Sequence, residues 1–238
     1  YEKYKNAHLS EIVSCLSDAS KGLCVEGIDA NTYEKQLTQA DLRSCLPEDD
    51  NYKVSVNVSG ITLTITPAPL TVTTSSAIKA YDGTPLTKTD GAEITGFVNR
   101  ETATLVVIGS QTKFGSSVNG YKIIFKGESG ASSETAKRMN YEVTTETLGE
   151  LEIFDFVCKD YSFLSEDGSV EFPLPIVYAD ASVDEWNLSD DRLTVVGDKI
   201  SGQLPFGSTD VEITATYKSV SKSCPCTIVV LGKRPACE

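Results

Sequence analysis

Asn51-Tyr52-Lys53-Val54-Ser55 returns as Asn140-Tyr141-Glu142-Val143-Thr144, about ninety residues on, and a fixed period of that size marks units strung or stacked along a chain. In both places a glycine follows, Gly60 and then Gly149. After it comes an alternating apolar run, Leu63 with Ile65 in one copy and Leu151 with Ile153 in the other. Alternation at a period of two is the pattern of a strand with one buried and one wet face. A second anchor lies upstream at nearly the same offset, where Gly27 through Asn31-Thr32-Tyr33 corresponds to Gly115 through Asn119-Gly120-Tyr121. The repeat also bears on an ambiguous stretch. Leu9, Ile12, Val13 and Leu16 fit one face of a helix, but their counterparts around Thr102 to Ile108 are rich in β-branched residues. A strand is therefore expected over Glu11 to Ser17.

Turn chemistry agrees with all-β units. Asp82-Gly83 supplies the positive φ of a tight turn, and Thr84-Pro85 follows where a central strand cannot run. Pro67-Ala68-Pro69 reads as a short, stiff joint, because proline lacks the N–H that a sheet interior requires. The expected organisation is a partial repeat over 1–67, a whole one over 68–154, a different sandwich over 155–234 and the start of a further segment at 235–238.

Composition narrows the function classes. With 238 residues, 40% hydrophobic and 23% charged, the chain holds enough apolar side chain for several globular cores. A net charge of -13 repels phosphate backbones, which are bound through clustered Lys and Arg, so nucleic acid is not an expected partner. No apolar run approaches the ~20 residues of a membrane-spanning helix. Seven cysteines beside one histidine favour disulfides over zinc and hence an oxidising, extracellular or cell-surface setting. The start at Tyr1 without Met or an export signal reads as a cut from a longer chain.

The residues also carry a resemblance. Thr66-Pro67-Ala68-Pro69-Leu70-Thr71-Val72, Tyr81-Asp82-Gly83-Thr84-Pro85-Leu86, Gly96-Phe97-Val98-Asn99 and Asn140-Tyr141 resemble the MBG-type repeats of large bacterial surface proteins, over residues 1–154. That likeness implies immunoglobulin-like β-sandwiches strung end to end.

From Phe156 the signature changes. Val211, Ile213, Ala215 and Tyr217 alternate with Glu212, Thr214 and Thr216, a strand buried on one face. Cys226, Ile228 and Val230 share a face of the next strand, and Phe154, Phe156 and Cys158 share a face of the entering one. A Cys158–Cys226 bridge across the core is expected, with Cys224 as the competing partner, and is worth about 4 kcal/mol on the chain-entropy model. The run Leu204-Pro205-Phe206-Gly207-Ser208-Thr209-Asp210-Val211, with Thr214-Ala215-Thr216 and Cys226, resembles the hyalin-repeat class of immunoglobulin-like domains, over residues 156–233.

No constellation for catalysis stands out. His8 is the single histidine, and a nucleophile needs a base and an orienting group within reach. Gly127-Glu128-Ser129-Gly130 lacks the spacing and the strand-turn-helix context of a nucleophile elbow. Cys224-Pro225-Cys226 lacks the two-residue gap of redox and zinc pairs. Trp186, with Asp180, Asp184, Glu185, Asp190 and Asp191 around it, forms a candidate ligand loop: an indole stacks on sugars, and calcium takes six to eight oxygens. The bland readings are a core tryptophan and solvated acidic turns. No cofactor is expected, calcium being the alternative. The sequence thus reads as a non-catalytic spacer or stalk of an extracellular bacterial surface protein or adhesin, whose partners are its neighbouring domains. The alternative is a module binding a carbohydrate or a host protein through the C-terminal loops.

Overall fold

The computed structural model describes residues 10, 11, 14, 15, 18, 22, 23, 25–46, 60–178 and 182–232. The first copy of the repeat motif at Asn51, His8, Cys24, Asp180 and Cys237 all lie outside them. Among the described residues the regular structure is almost all β-strand, and the chain divides into two compact units: residues 1–71, 95–104 and 124–145 in one, and 72–94, 105–123 and 146–238 in the other.

In the first unit, β1 (Asn31–Lys35) pairs antiparallel with β2 (Ile61–Ile65), Tyr33 opposite Leu63. Ile61, Leu63 and Ile65 alternate inward as their spacing demands. Between these strands lies a short helix, α1 (Gln39–Arg43). The Thr38 hydroxyl accepts from the Asp41 N–H, and the Asp41 carboxylate accepts from the Thr38 N–H at 2.7 Å, a reciprocal cap that satisfies two otherwise orphaned donors. Cys15 and Cys45 are bridged, their Cα atoms 5.4 Å apart. At the described residues of the stretch Glu11 to Ser17 the expected strand gives way to helix: Ser10, Glu11, Ser14 and Cys15 carry helical backbone. The local 3.6-residue period outweighs the analogy to the other copy, because homologous position does not alter which residues share a face.

β3 (Ala68–Thr73) follows β2 after Thr66-Pro67 and runs between β5 (Glu93–Thr95) and β9 (Tyr141–Thr147). β6 (Thr104–Val107) pairs with β8 (Tyr121–Ile124). In a further sheet β10 (Glu150–Phe154) is central, parallel to β4 (Ala77–Ala80) and antiparallel to β7 (Gly115–Val118). Leu151 and Ile153, read as one face from their alternation, are 0% and 1% exposed.

The last sandwich opposes two sheets. One runs β12 (Tyr161–Ser165), β19 (Val220–Gly232), β18 (Gly207–Tyr217), β15 (Glu185–Leu188). The other runs β13 (Ser169–Pro173), β17 (Lys199–Gln203), β16 (Leu193–Val196). A small pair, β11 (Phe156–Val157) with β14 (Ile176–Val177), closes one corner. Val211, Ile213, Ala215, Ile228 and Val230 from the first sheet meet Val170, Phe172, Leu193 and Ile200 from the second in one buried cluster. Two aligned sheets with a shared apolar interior are the sandwich architecture. Pro225 is tolerated inside β19 because β12 joins that strand only from Ile228 onward, so at Pro225 one side has no ladder to break.

Candidate functional site

The cysteines pair differently from the leading expectation. Cys158 is bridged to Cys224, with Cα atoms 6.0 Å apart, and Cys226 is a free, buried thiol. Alternation correctly places Cys224 and Cys226 on one face, but strand register chooses between them. β12 runs parallel to β19 with Tyr161 opposite Ile228, and the Cys226 Sγ donates to the Lys159 carbonyl at 3.2 Å. Cys158, one residue before Lys159, therefore meets the earlier cysteine. Cys226 is 1% exposed, and burial, followed by the Asp160 charge, pushes its thiol from 9.0 up to about 11. Because the folded-state value is the higher one, the associated stability is complete below the unfolded thiol's pKa and is lost as pH rises through about 11. Alkylation at pH 8 is accordingly expected to leave Cys226 unmodified in the native chain and to label it at once in denaturant. Rapid native labelling would refute its burial.

The candidate ligand loop is largely committed to internal contacts. Trp186 lies on β15 opposite Ala215 and meets the Phe156 ring edge-on, centroids 5.4 Å apart, so the indole serves the core instead of forming an open platform. Asp184 accepts from the Lys218 N–H at 2.6 Å. Asp190 accepts from the Arg192 N–H at 3.0 Å and from its Nε at 2.8 Å, and that guanidinium holds the Asp190 carboxyl below the usual range. Asp191 is exposed. Among the described residues no three His, Cys, Asp or Glu side chains gather as metal ligands. Glu128, in the Gly127–Gly130 loop, accepts from the Phe125 N–H at 3.0 Å and from Arg138 Nε at 2.6 Å, which makes the loop a braced turn.

Two arrangements escaped the sequence reading. The first is a clasp formed by the tip of the β18–β19 hairpin. Its two turn residues, Lys218 and Ser219, have φ of 47° and 67°, the left-handed pair of a type I′ turn that Asn-Gly ordinarily occupies. The tip grips the repeat: Tyr217 Oη donates to Glu152 at 2.8 Å and Lys218 Nζ at 2.6 Å. Lys222 pairs with the buried Asp155 and sits 5.7 Å from the Tyr81 ring centroid. Glu152, then the Tyr217 hydroxyl, raise the Lys218 ammonium above its ordinary value.

The second is a pocket of about 350 Å³ in the first unit. On one side Asp29 receives Lys137 Nζ at 2.7 Å and Asn140 Nδ2 at 2.9 Å, while Asn140 Oδ1 accepts from the Ala30 N–H at 2.6 Å. Lys137, then Asn140, hold the Asp29 carboxyl below its usual range. On the other side Tyr141 Oη donates to Glu101 at 2.7 Å and touches Val98. The Asn140-Tyr141 motif was legible as a repeat marker. Its role in lining a pocket required contacts from residues far away in sequence.

No family model matches the chain, and no curated protein matches it. Solved structures do. The chain is similar to the extracellular domains 3–5 of Drosophila OTK, with 14% identity over 85% of this chain and 71% of that one at a TM-score of 0.31. It is similar to Sidekick-1 immunoglobulin domains 1–4, with 11% identity over 85% and 59% at 0.29. It is also similar to the titin domains z1z2 solved with telethonin, with 14% identity over 71% and 95% at 0.25. At these levels the likeness names no activity, and the architecture rests on the strands themselves. Their opposed sheets, repeated along the chain, make this an all-β protein of tandem immunoglobulin-like sandwiches.

Proposed function

We propose that this chain is a non-catalytic spacer of an extracellular bacterial surface protein, MBG-like over 1–154 and hyalin-repeat-like over 156–233, which sets the distance and direction of what lies beyond it. The observation that carries the reading is the clasp. A spacer transmits position only if consecutive sandwiches turn together, and here Glu152 and Asp155, at the exit of the repeat, are held by Tyr217, Lys218 and Lys222 of the next sandwich. Keeping Lys218 and Ser219 in left-handed conformations costs on the order of 1–2 kcal/mol per residue, a cost offset where the strained tip makes contacts that a relaxed one would miss. Disulfides Cys15–Cys45 and Cys158–Cys224 fit an oxidising exterior. Its partners are then the adjoining domains of the same polypeptide.

Residual dipolar couplings test the reading. One alignment tensor is expected to fit residues 76–94 and 105–123 together with residues 156–178 and 182–232 in the unaltered chain. Lys218→Ala with Lys222→Ala should split it into two, with each sandwich still folded. Two independent tensors in the unaltered chain would overturn the proposal.

A further inference from the structure

The geometry points to the pocket walled by Ile28, Val98, Asn99, Glu101 and Lys126 as a binding site for one or two neutral sugar rings, a role separate from that of spacer. Its volume of about 350 Å³ lies at the small end of ligand sites, which suits a ligand of this size.

The wall is built in advance. Val98 to Glu101 form a tight turn closed by the Glu101 N–H donating to the Val98 carbonyl at 2.9 Å. Its central residues, Asn99 and Arg100, have φ of 53° and 60°. Arginine gains nothing locally from a left-handed conformation, and backbone strain of this kind gathers at ligand sites. The Tyr141 hydroxyl pins the turn from beneath through Glu101 and Val98, so little ordering remains to be done on binding.

The available groups define the ligand. Asp29 is saturated by Lys137 and Asn140. Among the described residues the Asn99 amide and the Lys126 ammonium have no side-chain partner, and Tyr141 takes one Glu101 oxygen, leaving the other. Amide, ammonium and carboxylate around one opening can donate to and accept from adjacent hydroxyls. The remaining charges, Glu101 and Lys126, cancel, so a charged ligand would face one of them unfavourably. The rim is apolar, with Ile28 91% and Val98 48% exposed, which offers aliphatic surface to the C–H face of a pyranose. A wholly apolar ligand would strip water from these polar groups without replacing its hydrogen bonds.

The test is an ¹⁵N titration of the full chain with the methyl glycosides of glucose, galactose, mannose and N-acetylglucosamine at up to tens of millimolar. At least one is expected to shift Ile28–Ala30 and Val98–Glu101 together. Asn99→Ala and Lys126→Met, both at exposed positions, should each weaken that binding about tenfold, and Trp186→Ala should leave it unchanged. No shift at these residues with any probe, shifts centred on the Trp186 loops, or binding indifferent to both substitutions would each overturn the assignment. None of these outcomes bears on the clasp, so the spacer reading stands or falls separately.

Discussion

Replacing Asn119 by alanine is expected to destabilise the second unit by about 3 kcal/mol, more than any surface change. The side chain is 0% exposed, and its amide donates to the carbonyls of Ser75 at 2.9 Å and Lys88 at 2.8 Å. Around it the backbone closes a loop of bonds. The Asn119 N–H donates to the Gly149 carbonyl at 2.7 Å, Thr74 Oγ1 donates to the Asn119 carbonyl at 2.8 Å, and the Gly149 N–H donates to Thr74 Oγ1 at 2.9 Å. Truncation strands two partly buried carbonyls in a network whose members support one another. Gly149→Ala should be comparably damaging for a steric reason: a Cβ there would lie 2.2 Å from the Ser75 carbonyl carbon and 2.5 Å from the Ser76 nitrogen, both backbone atoms that cannot turn aside. Gly60→Ala is the control, since its Cβ would meet only the Gln36 side chain at 3.1 Å. Urea unfolding of the three variants checks this, and equal midpoints for Gly149→Ala and Gly60→Ala would refute the steric account.

Cys158→Ser is expected to cost about 4 kcal/mol, the chain-entropy value for a loop closed over a sequence separation of 66. Cys224→Ser should cost far less. Cys226 lies two residues along the same face of β19 with its thiol buried beside the Lys159 carbonyl, so it can replace the missing partner after a small shift. Peptide mapping of the unreduced Cys224→Ser chain should then find Cys158 joined to Cys226. Equal losses of stability for the two variants, with no new bridge, would show that the β12–β19 register holds Cys226 out of reach.

Much of the fold was readable because it depends on neighbours in sequence. Val211, Ile213 and Ala215, or Cys226, Ile228 and Val230, fall on one face through strand geometry alone, and all are buried as that geometry requires. Where a reading leaned on the repeat instead of on local period it failed, as at Ser10 to Cys15, which are helical where described. Matching letters also concealed different roles. Asn119 is fully buried at the centre of a network, whereas its counterpart Asn31 is exposed and accepts from the adjacent Thr32 N–H. The candidate site was less legible. Trp186 packs on the core through Phe156, the plainer of its two readings, but the partners of the nearby acids, Lys218 for Asp184 and Arg192 for Asp190, could not be named because sequence shows composition without contacts.

By itself the sequence determined the β class, the alternating faces, the turns at glycine and the two pairing candidates for Cys158, since all of these follow from dihedral preference and a period of two. Tertiary structure alone decided which cysteine Cys158 meets, that Tyr217, Lys218 and Lys222 clasp Glu152 and Asp155, and that residues 28–30, 98, 99, 101, 126, 137, 140 and 141 line one pocket. Those outcomes turn on strand register and on the closure of long loops, and a shift of one residue in register, invisible in the local pattern, brings a different set of side chains together.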